Sequence, residues 1–146
     1  MTTAKTKTLV QPYLNFDGRC AEAIEFYQKA IGAEVDMLMH FKDAPPSPDS
    51  EQCGSLDPNK VMHCSFRIGD STVMASDCQG TGKVGFAGFS LSVTVTSASE
   101  ADRIFNALAE GGQVCQPLTQ TFFSPRFGVV VDRFGLSWMI YMLPAA

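Results

Sequence analysis

AEAIEFYQKAIGAEV, Ala21 to Val35, and SEADRIFNALAEGGQV, Ser99 to Val114, are two versions of one pattern. Each begins near a Glu-Ala pair, places bulky residues one turn further on, and stops at glycine before a valine, with one extra residue in the second copy. Cys20, Ala23, Ile24, Tyr27, Ala30 and Ile31 recur at helical spacing and predict one buried face. Gly32 ends that helix as a left-handed cap. In the second copy Ala101, Ile104, Phe105 and Leu108 form the equivalent face, Ser97-Ala-Ser-Glu100 reads as a capping box, and Gly111-Gly112 is the stop.

A strand candidate precedes each helix: Thr8 to Phe16 in the first half and Phe89 to Thr96 in the second. Three more follow each one. In the first half these are Glu34 to Phe41, Val61 to Ile68 and Ser71 to Ser76, the last two joined by a tight turn at Gly69-Asp70. In the second they are Gln113 to Gln116, Gly128 to Asp132 and Leu136 to Met142. Strand, helix and three strands, twice over, is an α+β pattern, with one module at about 8–77 and another at about 88–142. Two segments are expected to be irregular: Lys42 to Lys60, with four prolines, and Pro117 to Arg126. The first reads equally as a lid or as a connector.

Composition bounds the function. A chain of 146 residues with 45% hydrophobic residues supports one ordinary globular core. The formal charge of -4, with Lys and Arg scattered, gives no footprint for nucleic acid or an anionic membrane. No apolar run approaches the ~18 residues of a spanning helix, and a cytosolic protein is expected. Five cysteines without a C-x-x-C pair signal neither a disulfide framework nor a cysteine zinc site. Gly80 to Gly85 is a literal G-x-G-x-x-G, but a strand rather than a helix is expected after it, so no helix N-terminus is available for a phosphate. Nucleotide and S-adenosylmethionine binding are rejected on that ground.

Three blocks carry a family resemblance: YLNFDGRCAEAIEFYQKAIGAEV (Tyr13 to Val35), VMHCSFRIGDSTVMASD (Val61 to Asp77) and TFFSPRFGVVVDRFGLSWMIY (Thr121 to Tyr141). Together they resemble the PhnB-like branch of the vicinal oxygen chelate superfamily, the glyoxalase, bleomycin-resistance and extradiol-dioxygenase group, some members of which are labelled 3-demethylubiquinone methyltransferase-like. The resemblance implies paired βαβββ modules whose curled mixed sheets form a cup, helices outside, in a homodimer. It also implies four metal-ligand positions, which fall here on Gln11, Ala75, Gly88 or Phe89, and Met139. Only Gln11 carries a donor, whereas a catalytic zinc site needs about three protein ligands. No metal and no cofactor are therefore expected.

The remaining candidates are polar or aromatic. Counting back from Gly69-Asp70 pairs Ile68 with Ser71 and Cys64 with Ala75, which puts Asp77 on the face of Ala75, inside the expected cup, and turns His63 to the other face. His63 and Asp77 are candidate general base and orienter, set against a histidine held by backbone groups and an aspartate that caps a turn. His40 is read as structural or exposed. Gln11, Tyr13, Asp77, Phe123, Arg126, Met139 and Tyr141 are the expected ligand-binding set, with Phe122 and Phe127 flanking it. Trp138 and Tyr141 have opposite parity, so if Met139 faces the cup then Tyr141 lines it and Trp138 packs under the helices. The expected function is binding of a small organic ligand. The alternatives are a metal-dependent glyoxalase-like lyase or dioxygenase and an acid-base enzyme built on His63 and Asp77.

Overall fold

Helical periodicity and capping chemistry act where the sequence places them. The computed structural model describes residues 8–43, 58–77 and 85–144. Helix α1 (Cys20–Ile31) buries Cys20, Ala23, Ile24, Tyr27, Ala30 and Ile31, and Gly32 closes it with φ 70°. Helix α2 (Ala98–Ala109) buries Ala101, Ile104, Phe105 and Leu108. Ser97 accepts the Glu100 amide at 3.2 Å and so satisfies one of the free donors of the first turn of α2.

The strands form two mixed sheets of one topology. In the first, β1 (Tyr13–Asn15), β2 (Glu34–His40), β3 (Val61–Ile68) and β4 (Ser71–Ser76) run in the order β1-β4-β3-β2. In the second, β5 (Leu91–Val95), β6 (Gln113–Thr119), β7 (Phe127–Val131) and β8 (Ser137–Met142) run β5-β8-β7-β6. The pairs β1·β4 and β5·β8 are parallel and all others antiparallel. The expected register of the Gly69 hairpin holds, with Ile68 opposite Ser71 and Cys64 opposite Ala75. Both sheets are open, and no strand of one pairs with a strand of the other among the described residues.

Two boundaries differ from expectation by more than two residues. The first strand is short because Pro12 has no N–H to donate; its carbonyl accepts the Met74 amide at 2.9 Å, and the ladder begins at Tyr13. Pro117 to Thr119, expected to be irregular, belong to β6. That strand lies at a sheet edge and its register shifts between Val114 and Gln116 and again between Gln116 and Thr119, the setting in which a strand tolerates proline. Gly80 to Val84, all of the glycine-rich motif but its last residue, and most of Lys42 to Lys60 lie outside the described residues.

One face of each sheet packs under the helices. Leu14, Cys64, Phe66, Val73 and Ala75 are buried against α1, and Val95, Val130, Trp138 and Ile140 are buried on the α2 side. The modules meet through this layer. Tyr27 of α1 lies 5.4 Å from Trp138, while Phe134 from the β7–β8 turn touches Phe16, Phe26 and Tyr27. Gly128 allows β7 to pass beneath α2, since a Cβ there would lie 2.8 Å from the Phe105 ring.

At the centre is Asp132, only 2% exposed. Its Oδ1 accepts the amides of Phe134 and Leu136 at 2.8 and 3.1 Å. Its Oδ2 accepts the Tyr27 hydroxyl at 2.5 Å and the Trp138 indole N–H at 2.9 Å. The Asp-x-x-Gly turn that closes the chain thus works as an Asx turn whose second oxygen ties module to module. Burial, then the nearby Asp132 charge, pushes the Tyr27 phenol far above its ordinary range, so it stays a donor.

Candidate functional site

The faces of the sheets turned away from the helices carry the candidate chemistry. In the first sheet, cross-strand pairing sets Tyr13 beside Met74, Met74 beside Ser65 and Ser65 beside Met37, all on the helix-free face. Tyr13 is 46% and Met37 43% exposed, so this row is an open apolar surface. In the next row Met39 pairs with His63. The Tyr13 hydroxyl and His63 Nδ1 are 2.9 Å apart, and their rings stand 5.6 Å centre to centre. Partial burial raises the Tyr13 phenol above its ordinary value, which keeps it protonated. Gln11 precedes Tyr13 by two residues, with the same parity, and is partly buried.

Parity on this sheet corrects two expectations. Ala75 and Asp77 do not face the cup: Ala75 is fully buried opposite Leu14 and Cys64, against α1. Asp77 is 1% exposed, and Oδ1 accepts the Gly18 and Cys20 amides at 2.7 and 2.9 Å while Oδ2 accepts the Val61 amide at 3.1 Å. It caps α1, where Arg19 at the N-cap position makes no side-chain capping bond and pairs with Glu22 instead. His63, expected to face away, is on the open face, and its partner is Tyr13 rather than Asp77. One residue of slip in the inherited alignment inverts the whole face.

The second sheet follows the expected parity. Trp138 is buried under the helices, while Met139 and Tyr141 lie on the open face opposite Val129 and Phe127. Phe123 stacks on Tyr141 at 6.3 Å and meets Phe127 edge-on at 5.0 Å. Ser124 fixes this loop: its single Oγ–H lies between the carbonyls of Met142 and Arg126, at 2.7 and 2.9 Å. Phe122, at the loop tip, is fully exposed. Arg126 turns the other way and pairs with Asp102 on α2, so it does not meet the aromatic group. Met37 and Met74 were missed; the alternation Met37-Leu38-Met39 and the Gly69 hairpin register carried the signal.

A groove of about 390 Å³ also lies between the helices, lined by Glu22, Glu25, Phe26, Lys29, Ala30, Ala107, Glu110 and Arg133. None of the expected site residues lines it. His40 makes a surface pair with Asp43, its Nδ1 at 3.4 Å from the carboxylate.

The residues present do not fit the metal that the fold family implies. Among the described residues no three His, Cys, Asp or Glu side chains come together to hold an ion. At the inherited positions Ala75 and Met139 offer no oxygen or nitrogen donor, and both oxygens of Asp77 are engaged by backbone amides.

Comparison with known proteins agrees with this architecture. Residues 8–141 match the model of the family described as 3-demethylubiquinone-9 3-methyltransferase. The chain is 35% identical to Protein YjdN of Escherichia coli over 90% of its own length and 92% of that protein's. The crystal structure of protein PA1353 from Pseudomonas aeruginosa superposes with a TM-score of 0.80 at 37% identity, covering 94% of this chain and 98% of that one. A putative 3-demethylubiquinone-9 3-methyltransferase, PhnB protein, from Bacillus cereus gives 0.75 at 25% identity, covering 92% and 99%. A glyoxylase/bleomycin resistance protein/dioxygenase domain from Frankia shares the fold alone, with a TM-score of 0.63 at 14% identity over 97% and 96% of the two chains. Sequence match and topology converge: the chain belongs to the family described as 3-demethylubiquinone-9 3-methyltransferase, a PhnB-like group with the glyoxalase and bleomycin-resistance fold.

Proposed function

We propose that the protein binds a small organic molecule against the helix-free sheet faces, without a metal, and that a homodimer covers those faces to complete the cup. The observation that carries this reading is the pairing of open aromatic and methionine surface with a few placed polar groups: Tyr13 and His63 in one sheet, Met139, Tyr141 and Phe123 in the other. That mixture is the ordinary lining of a small-molecule site. Open sheet faces of this kind favour a two-fold partner, the commonest oligomer. The methyl transfer in the family's description is not carried over, because the first element after Gly85 is strand β5, which offers no helix N-terminus to a charged cofactor.

A second reading rests on the Tyr13–His63 contact. A histidine oriented through Nδ1 by a tyrosine presents Nε2 as an acid or base, with Tyr13 in the role first assigned to Asp77. In this reading the bound molecule is a substrate whose proton His63 moves.

Anilinonaphthalene sulfonate, an aromatic anion that brightens on apolar surfaces, serves as the probe. Its fluorescence is expected to rise saturably with the protein and to be unaffected by a chelator. Tyr141→Ala and Phe123→Ala are each expected to weaken binding by about 5- to 20-fold, the loss of one aromatic contact. Glu110→Ala, in the groove between the helices, should leave it unchanged. Weakening by Glu110→Ala but not by Tyr141→Ala would move the site to the groove.

A further inference from the structure

The thiols of Cys20 and Cys64 have no part in the site described above. Cys20 is the first residue of α1 and Cys64 lies within β3, yet the fold brings their sulfurs to 3.8 Å, with both residues fully buried. A disulfide spans about 2.05 Å between sulfurs, so closure needs an approach of roughly 1.8 Å, within reach of side-chain rotation. The hydrogen bond from Cys20 holds the Cys64 thiol below its ordinary value, while that bond, burial and the nearby Asp77 charge push Cys20 up. Cys64 is therefore the more nucleophilic sulfur and Cys20 the resolving one.

We propose that Cys20 and Cys64 form a reversible disulfide on exposure to hydrogen peroxide, fastening the start of α1 to β3. The Cys64 thiolate attacks the peroxide, breaking the O–O bond and leaving a sulfenic acid and hydroxide. The Cys20 sulfur then displaces the sulfenic hydroxyl, so an S–S bond forms as the S–O bond breaks. Two electrons pass from the thiols to the peroxide, and its oxygens leave as two waters with the thiol protons. A dithiol reverses the step by exchange. Both sulfurs are buried, so peroxide reaches them only through transient opening of the turn before α1, at Asp17 and Gly18, which the Asp77 carboxylate otherwise holds. The link closes a long loop and fixes β3 at the residue next to His63, so it acts on the stability of the first module and on the rigidity of the open face behind it.

The test is made on the folded wild-type protein. It is exposed to a small excess of hydrogen peroxide, the peroxide is removed, the remaining thiols are blocked with N-ethylmaleimide in denaturant, which reaches the buried pair, and unreduced digests are analysed by mass spectrometry. The expected product is a peptide pair joined through Cys20 and Cys64, two hydrogens lighter than the separate thiols and released by dithiothreitol. The oxidised protein should melt about 5–10 °C higher, as a long closed loop implies, and that gain should be absent from Cys20→Ala. Recovery of both residues as blocked thiols or sulfinic acids, while exposed Cys115 is oxidised, would overturn the proposal. So would a bond from Cys20 or Cys64 to any other cysteine.

Discussion

Asp132→Ala is expected to lower folding stability by about 3–5 kcal/mol, the range for removing the shared acceptor of a buried polar network. Four donors converge on that carboxylate: the Tyr27 hydroxyl, the Trp138 indole and the amides of Phe134 and Leu136. Alanine leaves all four in a site sealed from water, each unpaired group costing about 1–3 kcal/mol before the chain relaxes. Tyr27→Phe removes only the contact between modules and keeps the ring packing on Trp138, so it should cost less, about 1–2 kcal/mol. Urea unfolding of the three proteins checks the order. An Asp132→Ala loss no greater than that of Tyr27→Phe would show that the turn amides contribute nothing and that the latch is a single hydrogen bond.

Asp77→Ala should lose about 2–4 kcal/mol, because among the described residues the amides of Gly18, Cys20 and Val61 share this one carboxylate as acceptor and α1 loses its cap. His63→Ala, on the open face, should cost less than about 1 kcal/mol of stability and instead weaken binding of the probe. Thermal and urea unfolding alongside the fluorescence titration separate the two. If Asp77→Ala folds with wild-type stability while binding fails, Asp77 belongs with His63 in the site and its assignment as a cap is wrong.

Much of the fold was legible because helix periodicity and caps are local. Both buried helical faces, from Cys20 to Ile31 and from Ala101 to Leu108, follow from spacing alone, and the Gly69-Asp70 turn fixed the register of β3 and β4. The split between Trp138 and Tyr141 was equally accessible, since alternation in a strand is strict. Which face of the first sheet meets the helix was harder. Cys64 and Ala75 are small enough to fit beneath α1, but nothing in their local sequence says so, and an inherited alignment put Ala75 and Asp77 in the cup. The two buried carboxylates were harder still: Asp77 was set in the cup, with a turn cap as the alternative, and Asp132 was not singled out, because only tertiary structure brings Asp77 to a helix start 57 residues away and Asp132 to Tyr27. Arg126 was placed with the aromatic loop by sequence adjacency, whereas its pairing with Asp102 draws it to α2.

The central claim is that ligands meet the open sheet faces and do so without a metal ion. A crystallographic screen with small aromatic fragments, collected with anomalous data and in protein given no added metal, tests it most directly. Fragments are expected against Tyr13, His63, Met139 and Tyr141, with no anomalous peak between fragment and protein. Fragments confined to the groove between α1 and α2, or a transition metal coordinated on the sheet face, would contradict it.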